Sequence, residues 1–325
     1  MSSAPRQRDR ETSEVVTFGE TMALFKADTP GPLPHAAGLS LGIGGAESNV
    51  AVALKRLGTS VTWIGRVGSD SLGDLVLREL RGEDIDVVSI RDETAPTGLM
   101  IKERRTAQSL KVWYYRSNSA GSRLEPQDVP EELIARARLL HLTGITPALS
   151  ESAAAATHHA ISCAKDSGVL VSFDLNYRAA LWSPNEAGEQ FRQIIAEADI
   201  VFAGDDEAAI AIGATSDPSD MARRIHELGP SQVVLKRGAH GCTALIDGVE
   251  HSRTAVPVHV VDTVGAGDAF VGGYLSELLR GADAEQRLLT ATQVGAFACL
   301  VPGDWEGMPR RSELHMLDSS EPVSR

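Results

Sequence analysis

Cysteine is scarce in this chain of 325 residues: there are three, Cys163, Cys242 and Cys299, far apart and in no CxxC pair. An odd, scattered set excludes a disulfide framework and fits a reducing compartment with each thiol buried. No stretch of about 18 apolar residues occurs, which excludes a membrane-crossing helix. Residues 1–12 are polar and mixed in charge without an apolar core, so they read as a frayed terminus rather than a signal peptide. The cytoplasm is the expected location. A basic excess is also missing, since 31 Lys and Arg against 44 Asp and Glu give a net charge of -13. That field repels phosphate backbones, so neither nucleic acid nor an anionic membrane is expected as a partner, and an anionic substrate needs a local basic site. The Walker A pattern GxxxxGK[ST] is absent as well. If ATP is used, it is held in another way.

What is present is a composition close to the globular average, 42% hydrophobic and 23% charged, enough to bury a sizeable core without staples. Short apolar runs rich in β-formers recur at 15–18, 61–64, 139–142, 169–173, 200–202 and 233–235. Several are separated by segments of helical period. That alternation predicts an α/β fold with a parallel sheet covered by helices on both faces.

Val50, Ala53, Leu54 and Leu57 lie at i, i+3, i+4 and i+7, with Gly58 as a stop; Leu72, Leu75, Val76 and Leu80 form a second stripe, with Asp70 as N-cap and Gly82 past the end. Residues 22–44 and 98–116 break the alternation and read as strands of a small sheet standing off the core as a lid, the second as a hairpin turning at 104–109. The reading is one domain over residues 15–310, with flexible tails at 1–14 and 318–325. The edges of such a lid favour pairing with a second copy, a homo-oligomer.

Residues 258–270 read VHVVDTVGAGDAF, a strand-like stretch running into small residues and then a helix with Phe270, Tyr274 and Leu278 on one side. Small residues leave the amides uncovered at the helix N-terminus, which favours a phosphate there. An aspartate among phosphates repels them; its better use is to accept a proton from an attacking hydroxyl, which makes Asp268 a candidate general base. Read alone, Gly265 and Gly267 also suit a tight turn capped by Asp268. A dinucleotide-binding GxGxxG fits poorly, because Phe270 replaces the third glycine.

The heptapeptide with Asp262, Thr263, Gly265, Ala266, Gly267 and Asp268 resembles the C-terminal signature of the ribokinase-like, or phosphofructokinase-B-like, carbohydrate kinases. Gly44-Gly45-Ala46-Glu47-Ser48-Asn49-Val50-Ala51, running to Arg56-Leu57-Gly58, resembles their N-terminal signature. Gly65-Arg66-Val67-Gly68 with Asp70 and Gly73, Asp174 to Arg178, and Lys236 to Gly241 resemble landmarks between them, so the likeness spans residues 15–309. It implies a three-layer α/β/α core with a predominantly parallel sheet and a β lid, and ATP with Mg2+ as cofactors. Asp268 would be the base, beside an anion hole of Gly265, Ala266 and Gly267. Asn176, Lys236, Gly238, Gly241, Gly265 and Gly267 would border the nucleotide. Glu207 would reach the metal through water, although Gly204 stands where the N-x-x-E motif has asparagine. Thr292 replaces an asparagine that many relatives carry beside the adenine. Some members also hold a monovalent cation such as K+ near the residues matching Asp262 and Thr263.

The acceptor is read from the lid stretch 112–122, where arginine offers a fork for a carboxylate and tyrosine adds rigid donors. Together with Gly19-Glu20, residues 141–149, Asn176-Tyr177-Arg178 and Gly303-Asp304, it resembles kinases acting on 2-keto-3-deoxygluconate. By that resemblance Gly45, Asn49, Tyr114, Arg116, Arg178 and Asp304 contact the sugar acid, with Arg116 and Arg178 at its carboxylate. Fructose, ribose or the galactonate epimer are the alternative acceptors. A catalytically silent sugar-acid sensor is the alternative from another class, with Gly204 and Thr292 as signs of decay.

Overall fold

The computed structural model describes residues 13–106 and 109–317. In chain order the elements begin with β1 (Val15–Phe18), β2 (Met22–Ala27), β3 (Leu39–Gly44), α1 (Ala46–Arg56), β4 (Val61–Gly68), α2 (Ser71–Gly82), β5 (Asp86–Asp92), β6 (Leu99–Thr106) and β7 (Ser109–Tyr115). There follow α3 (Glu131–Arg136), β8 (Leu139–Thr143), α4 (Glu151–Asp166), β9 (Leu170–Asp174), α5 (Pro184–Ile195), β10 (Ile200–Gly204), α6 (Asp205–Ile212) and α7 (Pro218–His226). The last are β11 (Gln232–Lys236), β12 (Cys242–Ile246), β13 (Val249–Arg253), α8 (Ala266–Leu279) and α9 (Ala284–Ala298).

Nine strands form one sheet in the order β13-β12-β11-β10-β9-β8-β1-β4-β5. Every pairing from β5 to β11 is parallel. Each strand feeds side chains to both faces with period two. In β10, Ile200 and Phe202 join a core with α1, α2, α8 and α9, while Val201 and Ala203 join the opposite core with α3 to α7. That is the expected three-layer sandwich. Helix starts are fixed locally: Asp70 accepts from Gly73 N as the cap of α2, and Ser183 with Glu186 closes a capping box over Pro184 at the start of α5.

The sheet is predominantly parallel, as expected, and β12 and β13 add an antiparallel edge. Asp247 and Gly248 join them with φ of 50° and 81°, the tight positive-φ turn that demands antiparallel neighbours. Residues 258–261 form no strand: the N–H of Val261 donates to the carbonyl of Cys299 at 2.8 Å, so the valines are anchored to the end of α9 and lie half exposed. Gly82 is the last residue of α2 rather than the one past it, and Asp84 with φ of 59° makes the reversal. Strands β5 and β13, polar at the sheet's two edges, carry no apolar run to announce them.

The remaining strands form a small sheet in the order β3-β2-β6-β7, with β2 and β6 parallel and the outer pairs antiparallel. Its hairpin is tighter than 104–109, since β6 runs to Thr106 and β7 starts at Ser109; residues 107 and 108 lie outside the described ones, as do 1–12 and 318–325. Ser13 and Glu14, expected in the loose tail, are held: Ser13 Oγ donates to Asp86 and receives from Thr62, and Glu14 N donates to Ser60. Leu41, Trp113 and Tyr115 are exposed on β3 and β7, the outer strands on which the expectation of a homo-oligomer rests.

The chain moves from β1 outward to β4 and β5, then returns to build β8 to β11 on the other side. The reversal between β1 and β8 is the point where an open parallel sheet leaves a crevice at the carboxyl ends of its strands.

Candidate active site

That crevice receives the ends of β1 (Gly19, Glu20), β9 (Asp174 to Asn176) and β11 (Lys236), together with the starts of α1 and α8. Gly265 caps α8 with φ of 76°, a left-handed conformation that glycine adopts without strain. A Cβ there would also collide with the carbonyl oxygen of Asp304. No side chain caps the helix, so the amides of its first turn stay available to an anion.

Asp268 sits in that first turn, 9% exposed. Its Oδ2 accepts from Nδ2 of Asn49 at 2.8 Å and its Oδ1 from Nδ2 of Asn176 at 3.5 Å. Asn49 is therefore not a capping residue; Gly45 is the N-cap of α1. Burial pushes the Asp268 carboxyl up to about 7, with Asn49 pulling it back and the nearby Asp174 adding to the rise. A carboxyl poised near neutrality can take a proton from a hydroxyl at working pH.

Beside it, Lys236 Nζ lies 2.6 Å from both oxygens of Asp174 and faces Gly267, whose Cβ would stand 3.6 Å away. Burial disfavours the ammonium, but the carboxylates of Asp174 and Glu207 outweigh it and hold Lys236 charged. Glu207 accepts from the N–H of Gly204 at 2.7 Å and of Tyr177 at 3.0 Å. It thus pins the start of α6 to the turn after β9. Gly238 and Gly241, with φ of 52° and 86°, shape the turn between β11 and β12.

On the other wall, Gly45 brings the backbone of α1 against residues 20 and 21; an added Cβ would lie 3.0 Å from the Cα of Thr21. Arg116, at the end of β7, donates from Nε to Glu20 Oε2 at 2.7 Å and stacks over the ring of Tyr114 at 5.9 Å. Tyr114 is 44% exposed. Arg178 is exposed, and its charge reaches Asp268 and Asp174.

A sequence model described as pfkB family carbohydrate kinase matches residues 12–311. The chain belongs to that family. It is a sugar kinase, and the pfkB fold of a parallel sheet between helices with a small second sheet is the one described above. The 2-dehydro-3-deoxygluconokinase of Bacillus subtilis is 37% identical over 95% of this chain and 96% of its own length. The 2-dehydro-3-deoxygalactonokinase of Haloferax volcanii is 32% identical over 90% and 93%. Among solved structures, an E. coli protein provisionally described as a ribokinase II, in complex with ATP and Mg2+, superposes with a TM-score of 0.86 at 25% identity, covering 94% of this chain and 99% of that one. Among the described residues no helix is long and apolar enough to cross a membrane.

In this pfkB kinase the structure gathers Asp268, Asn49, Asn176 and the start of α8 into one cluster, with Asp304 behind Gly265. Arg116 and Tyr114 stand on the small sheet, and Gly238 and Gly241 on the loop after β11. Sequence reasoning quoted Glu20 and Glu47 within motifs without giving them a role, and passed over Lys102. Glu20 holds Arg116 and accepts from Ser119 Oγ. Glu47, 1% exposed, accepts from the hydroxyls of Thr143 and Thr146 at 2.7 Å each and fixes α1 beneath Gly19. Lys102, 1% exposed on β6, pairs with Asp304. For Lys102 the available signal was a charged residue in the alternating pattern of β6.

Proposed function

We propose that this kinase transfers the γ-phosphoryl group of MgATP to the 6-hydroxyl of 2-keto-3-deoxy-D-gluconate, giving 2-keto-3-deoxy-6-phosphogluconate and MgADP. The observation that carries the reaction is the buried Asp268 at the uncapped start of α8. The hydroxyl proton passes to Asp268, the oxygen bonds to the γ-phosphorus, and the bond to the ADP oxygen breaks. The amides of Gly265, Ala266, Gly267 and Asp268 face the charge that develops on the transferring group. Lys236 borders the phosphates and Asn176 the space between donor and base. Glu207 would hold magnesium through water, and the ion would supply charge neutralisation on the phosphates. The small sheet covers the crevice and keeps water from the γ-phosphate.

The acceptor follows from Arg116 and Arg178. Arg116 carries five N–H donors. Glu20 engages its Nε and Nη2 and leaves the Nη1 side for a second carboxylate. The 37% identical 2-dehydro-3-deoxygluconokinase of B. subtilis supports the same acceptor, while the relative from H. volcanii favours its galactonate epimer as the second reading.

The test is ADP release with MgATP against 2-keto-3-deoxygluconate, its galactonate epimer, gluconate, fructose, ribose and adenosine. Turnover confined to the two keto-deoxy acids, highest on the gluconate form, is expected. Preference for a neutral sugar would overturn the acceptor, and silence on every compound would overturn the reaction.

A further inference from the structure

Among the described residues, ion pairs of one polarity join the small sheet to the core: Lys26, Lys102, Arg104 and Arg116 from the sheet meet Glu306, Asp304, Asp262 and Glu20 from the core. They differ in burial. Lys26 and Glu306 are 28% and 35% exposed, whereas the side chains of Lys102 and Asp304 are 1% and 6% exposed. A fully buried ion pair is a poor source of stability, since well-packed apolar residues of the same volume often do as well or better. A role in function is the better reason for such a lysine to occupy the middle of β6.

Asp304 stands where three parts of the site meet. Its carbonyl fills the space that a side chain at Gly265 would take, behind the anion hole. Its Oδ1 faces Lys102. Its Oδ2 points at Gly44, against which an added Cβ would collide, directly before the Gly45 turn. Gly303 N donates to Asp262 Oδ2 at 3.4 Å, and Asp304 N to Glu306 Oε2 at 2.9 Å, so the backbone is anchored on both sides. The side chain keeps its own rotations about χ1 and χ2. Lys102 restrains them.

We propose that Lys102 is a positioning residue that holds the Asp304 carboxylate with Oδ2 turned toward the acceptor, so that acceptor binding depends on the small sheet being seated. The role rests on the reading that Asp304 contacts the acceptor. Without the ammonium, the buried carboxylate takes up a proton or turns away, and the hydrogen bond that it offers an acceptor hydroxyl is lost. The Asp304 backbone, held by its own hydrogen bonds, keeps its place behind the start of α8.

The experiment compares wild type, Lys102→Met, Asp304→Asn and the double variant by steady-state kinetics with each substrate varied, and by thermal unfolding. Lys102→Met is expected to raise the acceptor KM at least tenfold, with kcat and the KM for ATP within about threefold of wild type. The double variant removes the unpaired buried charge, so its Tm should return to the wild-type value or above while its acceptor KM stays high. If Lys102→Met does not fold, the double variant carries the test. An unchanged acceptor KM in Lys102→Met, or a double variant that recovers Tm and KM together, would show a purely structural pair and overturn the proposal. Failure of the wild type to turn over or bind any keto-deoxy acid would sink the acceptor reading itself, and this role with it.

Discussion

At the scale of single residues the account turns on Asp268 and what touches it. Asn49 donates to its carboxylate, and a hydrogen bond to the charged form favours that form. The rate with saturating ATP should rise with pH along an acid limb near neutrality, because the base acts only when deprotonated. In Asn49→Ala the limb should move to higher pH by on the order of one unit, the worth of one hydrogen bond to a charged group. The pH profile of kcat/KM measures this; a limb that stays or moves down contradicts the assignment. The sequence made Asp268 and Asn49 legible separately, through two signatures 219 positions apart. Their contact was not legible, because it is made by α1 and α8 crossing at the sheet's carboxyl edge. The roles of Glu20, Glu47 and Lys102 were illegible for a related reason: a charge reads as solvated until its partner is known, and each partner lies at least 90 residues away.

At the scale of elements, the start of α8 is the most constrained feature of the site. Gly265 is left-handed and packs against the Asp304 carbonyl, so alanine there meets both backbone strain and a collision. Gly265→Ala should lower stability by roughly 2 kcal/mol or more and depress kcat by well over tenfold, whereas Gly281→Ala, also at positive φ but with open space around its Cβ, should cost only the strain and leave kcat alone. Urea unfolding and turnover of the two variants test this; equal effects would mean that α8 tolerates displacement. The glycine run announced this turn, and the capped stripes announced α1 and α2. The Asp247-Gly248 hairpin also has a sequence signal, an Asp-Gly pair between β-formers, whereas the valines at 258–261 carry a misleading one. Period two states only that a segment suits a pleat, and Val261 finds its partner at the end of a helix instead of in a sheet.

At the scale of the molecule, the order of apolar runs and helical stripes was enough for a layered α/β fold, and the interruptions at 22–44 and 98–116 were enough for a second sheet. What the order of elements could not fix is how that sheet sits, which depends on ion pairs between distant positions. The whole arrangement brings both layers of helices, the crevice and the small sheet to bear on one carboxylate. Folding keeps Asp268 protonated up to about pH 7, whereas the unfolded chain ionises it near 4. The folded state therefore binds more protons across that interval, and stability declines as pH rises through it. An uncharged substitute escapes this decline. Asp268→Asn should thus keep the fold, with a Tm advantage over wild type that grows from about pH 4 to 7 and then levels off.

The most direct measurement is kcat of Asp268→Asn at pH 8, with ATP and acceptor binding titrated on the same preparation. The account predicts a fall of about a hundredfold to ten-thousandfold, with both ligands still bound and the melting temperature at or above that of the wild type. A variant that folds, binds and turns over at near the wild-type rate would contradict it.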